Sequence, residues 1–176
     1  MSDTKAPSLK DVLNKGLKAT GQDVPDGNYA GVLFAFGDPF MLAVSEKFKK
    51  ANGPTERAVM ELHFGVKIKE GIGAVAYLVP VPEGGATNKK SNLYKALKAL
   101  KGADTTFFDK DGNFKEGVTL ERFLGANASV QVKHNAKEFA QVETLSGAMD
   151  GVVYPTLDDC KVLAESLKAD NDNIPF

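Results

Sequence analysis

Between Arg57 and Lys69 apolar residues fall at every second position: Ala58, Met60, Leu62, Phe64, Val66 and Ile68 alternate with Arg57, Val59, Glu61, His63, Gly65, Lys67 and Lys69. A repeat of two marks an extended strand, because successive side chains point to opposite faces of a sheet. On a helix the same residues would be spread around the whole circumference and no apolar stripe would form. The chain is therefore committed to a sheet with one packed face and one face expected to be wet, and the flanking sequence has to supply the partner strands.

Partners are available on both sides. Asn28 to Phe36 is apolar and aromatic, which fits a strand with Ala30, Val32, Phe34 and Phe36 on one face and Tyr29, Gly31 and Leu33 on the other. Residues 37–56 are expected to be a long connection, bounded by Gly37, Pro39, Gly53 and Pro54 and carrying Phe40, Lys47, Phe48, Lys49 and Lys50. Glu70 to Gly73 is expected to turn, and Ala74 to Pro80 to return as a third strand forming a hairpin with the second. Ser91 then caps a helix whose apolar stripe is Leu93, Tyr94, Leu97 and Leu100, with Lys95, Lys98 and Lys101 outward. After a polar excursion at 103–127 with a turn at Asp111-Gly112, alternation resumes at Ala128–His134 and Phe139–Leu145, a second hairpin.

Short amphipathic helices are expected at both ends, at 8–18 with Leu9, Val12, Leu13 and Leu17 inward, and near 157–168. The fold class is mainly β, or α+β. Five strands with a helix between the third and fourth are the order of an OB-fold, a small Greek-key barrel that binds oligonucleotides on the face of its second and third strands. The expected organisation is an N-terminal helix and linker at 1–24, the barrel domain at 25–150, a C-terminal helix at 151–169 and an acidic tip at 170–176.

Charge narrows the function. The formal net charge is −1, yet residues 45–101 carry eleven Lys and Arg against five Asp and Glu, and residues 151–176 carry two against five. Local excess sets the field felt by a polyanion, since exposed charges separated by more than ~8 Å are largely screened at physiological salt. With two His and one Cys the sequence offers no Cys-based zinc site, disulfide framework, or nucleophile–His–Asp arrangement, so neither catalysis nor a cofactor is expected. Asp109-Lys110-Asp111-Gly112-Asn113 begins like a calcium loop, but Phe114 and Leu120 replace the required Gly and Glu. The lone thiol and the lack of an apolar signal segment or membrane-spanning run point to the cytoplasm.

The last residues, Asp170-Asn171-Asp172-Asn173-Ile174-Pro175-Phe176, join an acidic segment to a terminal Ile-Pro-Phe. This ending resembles the C-terminal tip of bacterial and phage single-stranded DNA-binding proteins, although Asn171 and Asn173 interrupt the acidic run and the long Gly/Gln/Pro linker of the bacterial proteins is missing. The resemblance implies a non-catalytic protein, of phage type, that coats single-stranded DNA in replication or recombination. It also implies that Asp170, Asp172, Ile174, Pro175 and Phe176 recruit replication and repair enzymes. A terminal Phe can fill an apolar pocket while its carboxylate meets a cation.

Single-strand binding without sequence preference needs cations along a groove and rings on which bases stack, at roughly 1–3 kcal/mol per stacked base. The candidates are Arg57, Lys67 and Lys69 on the second strand, Tyr77 on the third, Lys89 and Lys90 beyond it, Lys47, Phe48, Lys49 and Lys50 in the first long loop, and Lys133 with Phe139 near the last hairpin. The rival expectation is an adaptor or inhibitor that uses the tip to capture host replication proteins without coating DNA. Oligomeric state stays open, because the N-terminal helix can build a dimer or cap the barrel.

Overall fold

The alternation at 57–69 is realised as one strand of 13 residues, Glu56–Ile68, around which the rest of the sheet is arranged. The computed structural model describes residues 24–37, 39–44, 46–69, 71–81, 91–101, 107–134 and 140–165, with Phe48 and Lys101 described in their backbone only. The expected helix at 8–18, Lys89, Lys90, Phe139 and the tip Asp170, Asp172, Ile174, Pro175 and Phe176 lie outside the described residues.

Six strands form a mainly-β antiparallel sheet: β1 (Gly27–Phe36), β2 (Phe40–Ala43), β3 (Glu56–Ile68), β4 (Gly71–Pro80), β5 (Asn127–His134) and β6 (Ala140–Gly147). A helix, α1 (Asn92–Lys101), stands between β4 and β5, and a 3-10 turn at Asp158–Cys160 runs into helical residues 161–165. Ser91 caps α1 as expected, its Oγ accepting the Tyr94 N–H at 3.1 Å. No helix among the described residues is long and apolar enough to cross a membrane.

β1 pairs with β3 on one edge and with β5 on the other, and β3–β4 and β5–β6 are hairpins. Two features depart from the expected five-stranded Greek-key barrel. First, part of the expected 37–56 connection is strand: Phe40–Ala43 pairs with Glu56–Val59. Val59 faces Phe40 on one edge and Pro80 on the other, so β2 continues the edge that β1 occupies. The break falls at Pro39, which has no N–H to give to a ladder. Second, β4 and β6 end the ladder and touch without pairing among the described residues. α1 rests against both, its Ala99 carbonyl 3.3 Å from where a Cβ on Gly147 would stand, so a helix closes that side.

Two local departures follow from backbone geometry. The β1–β3 register shifts between Leu33 and Ala35, which inserts one residue. Phe34 and Ala35 consequently share one face and Phe36 swings to the other, where it packs on the main core rather than beside Phe34. The β3–β4 turn is also tighter than expected: Ile68 faces Gly71, whose φ of 128° only glycine adopts comfortably.

The inner row of β3 (Met60, Leu62, Phe64 and Val66) is buried with Leu33, Val75, Val79, Val130 and Val132, and Leu93, Tyr94, Leu97 and Leu100 of α1 close one end. The supposedly polar stretch 107–123 contributes an aromatic cap. Phe108 meets Tyr94 edge-on at 4.8 Å, and Phe123 is fully buried among Phe107, Phe108 and Phe114. The Asp109 loop serves this cap. Its Oδ1 accepts the Asp111 and Asn113 N–H groups at 2.8 and 3.0 Å, holding a turn that brings Phe108 opposite Phe114. The Asn113 N–H, chiefly, keeps the Asp109 carboxyl below its usual range.

Candidate nucleic-acid interface

The outer row of β3 reads Arg57, Val59, Glu61, His63, Gly65 and Lys67, matched on β4 by Leu78, Ala76, Ala74 and Ile72. The expected wet face is wet only at its two ends. Gly65 is covered by Cys160, which is fully buried in a second cluster with Val32, Phe34 and Ala74, flanked by Ile72, Leu163 and Ala164. A Cβ on Gly65 would lie 2.2 Å from the Cys160 Sγ, so only glycine lets the C-terminal segment sit this close. His63 is 7% exposed, with Nε2 3.0 Å from Glu61 Oε2 and its ring 6.2 Å from that of Phe34.

Toward the other end a further buried cluster follows, and the face becomes exposed only at Arg57. Val59 and Leu42 are buried there with Phe40 and Leu78 half-buried against them, and Arg57 is exposed one step further along β3. The β2–β3 hairpin then extends into a loop closed by Val44 N–H donating to the Thr55 carbonyl at 2.8 Å. Lys47, Lys49 and Lys50 are exposed on this loop, around a 3-10 turn at Glu46–Phe48. Lys49 Nζ is 3.5 Å from Glu46 Oε1, an exposed pair that leaves its charge available to a stronger anion. Phe40 was absent from the sequence-derived site. Its signal was the alternation of Phe40 and Leu42 after Pro39, hidden inside an apparent loop.

The remaining predicted residues do not join this group. Lys67 and Lys69 lie at the opposite end of β3, ten residues from Arg57 in the case of Lys67, or ~33 Å along a strand. Lys67 is exposed there, and its charge reaches Asp159 of the C-terminal segment without an ion pair among the described contacts. The Asp159 carboxyl lies below its usual range through the Thr156 N–H first (2.8 Å to Oδ2), then the Thr156 hydroxyl, with the Lys67 charge adding to them. Lys133 is on β5, across β1 from β3, and binds Glu143 Oε2 at 2.8 Å, a contact that raises its pKa. Beside it, Asp26 accepts both the side-chain and backbone N–H of His134, and its carboxyl is lowered accordingly. Tyr77 is displaced altogether: it pairs with Leu62 on the inner row and packs on the main core. β4 starts at Gly71, and its tight pairing with β3 fixes which alternate residues face inward.

The geometry thus gathers Phe40, Arg57 and the loop lysines at one end of the outer face, with Lys67 and Lys69 at the other and a covered stretch between. Such a surface can attract phosphate and offer one ring for stacking. Among the described residues no group of three or more His, Cys, Asp or Glu is placed to hold a metal ion. No family model matches the chain, and no curated protein or solved structure matches it either.

Proposed function

We propose that the chain is a non-catalytic, sequence-indifferent single-stranded DNA-binding protein, that its sheet is an OB-fold left open between β4 and β6, and that the DNA is gripped at the hairpin end of the outer face. The supporting observation is the convergence of Phe40, Arg57, Lys47, Lys49 and Lys50 on one end of the β2–β3 ribbon. Strand order also favours the reading, since β1 pairs with β3 and β5, the helix falls before β5, and a long loop joins the first arm to β3. In OB-folds that face and that loop are the ones that take oligonucleotides.

Binding of a fluorescent oligothymidylate at rising salt tests this. Each neutralised single-strand phosphate contributes about −0.7 to the log–log slope, so contacts from these four cations predict roughly 50-fold weaker binding between about 50 and about 200 mM salt. Affinity that ignores salt would refute the electrostatic grip. Under the same reading the ending Asp170–Phe176 recruits replication and repair proteins. Its removal should leave DNA affinity equal or higher while partner capture is lost, and a large fall in DNA affinity would contradict that separation.

One observation favours the adaptor reading instead: a stretch of the outer face is already covered by the chain's own C-terminal segment. If filter binding detects no retained oligonucleotide at low salt while the tip still captures replication proteins, the adaptor reading replaces the DNA-coating one.

A further inference from the structure

The segment 157–165 lies over the part of the outer face that separates the two cationic ends of β3. Beneath it is Phe34, 6% exposed and packed with Cys160 in the second cluster, and beyond it is Lys67. The covered stretch therefore holds a buried ring, Phe34, with the exposed Lys67 at its margin, as Phe40 stands near the exposed Arg57 at the hairpin end. The cover itself is slight. Cys160 is its one fully buried side chain among the described residues, while Leu157 is 44% and Val162 73% exposed. The described hydrogen bonds of 156–160 close on the segment: Cys160 N–H donates to the Leu157 carbonyl, and Thr156 and Asp159 cap each other. The Asp159 carboxylate feels the Lys67 charge only as the last of the influences on it, after the Thr156 N–H and hydroxyl.

We propose that residues 157–165 form a displaceable cover, and that single-stranded DNA seated at Phe40 and Arg57 lifts it to reach Phe34 on its way to the exposed Lys67. The inference rests on the DNA-binding reading above. Lifting exchanges the contacts of Cys160, Leu163 and Ala164 for base stacking on Phe34, so the bound strand supplies the differential free energy that opens the cover.

Cys160 is the chain's one cysteine and reports the cover directly. Burial pushes its thiol up to about 11, so the closed form should react slowly with Ellman's reagent. Saturating oligothymidylate, with binding followed in parallel by anisotropy, should accelerate labelling of the wild-type protein about tenfold or more, because labelling tracks the open population. Unchanged or slower labelling on a protein that demonstrably binds the oligonucleotide overturns the cover and leaves the DNA-binding reading intact. No anisotropy change in any form overturns that reading and the cover with it. A lock gives a second arm. An ideal Cβ at Gly65 lies 3.6 Å from Cys160 Cβ, within the ~3.5–4.5 Å a disulfide spans, so once the Cys160 Sγ has rotated away from its 2.2 Å approach oxidised Gly65→Cys should fasten the segment. The oxidised form should bind with a shorter footprint and about tenfold more weakly than the reduced form, whose population is free to open. Equal affinity and footprint in the two redox states would overturn the proposal.

Discussion

The two ends of one strand face present the same chemistry under opposite circumstances. At the hairpin end of β3, the exposed Arg57 stands near a half-buried Phe40; toward the turn end, Lys67 is exposed too, but Phe34 is buried under Cys160. Strand periodicity treats both alike, since each is the outer row of the same alternation. What separates them is a segment nearly a hundred residues later in the chain, together with a glycine at 65 that admits it. A face is thus assigned by local pattern, but its availability is assigned by long-range packing.

The comparison can be broken most forcefully at its covered half. Gly65→Val should force the C-terminal segment off its seat, costing about 1–3 kcal/mol as an overpacked site, measurable by urea unfolding. A neutral result would mean that the segment does not bear on Gly65. At the open half, Phe40→Ala should weaken oligonucleotide binding by about 2 kcal/mol, roughly 30-fold, if a base stacks on the ring. Tyr77→Phe should leave affinity unchanged, because its ring belongs to the core side. Replacing Lys47, Lys49 and Lys50 together by Gln should flatten the log–log salt slope by about two without changing the unfolding midpoint. A slope that survives would move the phosphate contacts elsewhere.

The smallest effect concerns pH. Asp159 has its carboxyl lowered in the folded protein, so the stabilisation it gives is present above the ordinary carboxyl range and is lost as pH falls through the depressed value. The melting temperatures of Asp159→Asn and wild type should therefore differ at about pH 6 and converge only as the pH falls through that depressed value. A gap that persists in acid would show that the side chain acts through packing.

Much of the fold was legible because it is local. Met60, Leu62, Phe64 and Val66 are buried as their spacing demands, Ser91 caps its helix, and the two hairpins stand close to where alternation placed them. The illegible parts depend on contacts that spacing does not encode. The inserted residue at Phe34 and Ala35 reverses the face of Phe36, a change set by the β1–β3 register. Phe107, Phe108, Phe114 and Phe123 are scattered among polar residues and find each other only because Asp109 folds their loop back. Of the candidate residues, Arg57 and the loop lysines lie close together because they are close in the chain, whereas Lys67 and Lys69, grouped with Arg57 as one strand face, stand at its far end, and Lys133 lies on another strand.

Amide hydrogen exchange, read peptide by peptide with and without saturating oligothymidylate, tests the central claim most directly. Slower exchange should concentrate in 40–57, with faster exchange in 157–165 and no change around Lys133 and Glu143. Protection centred on the β5–β6 hairpin, or protection nowhere, would contradict an interface built on the outer face of β3.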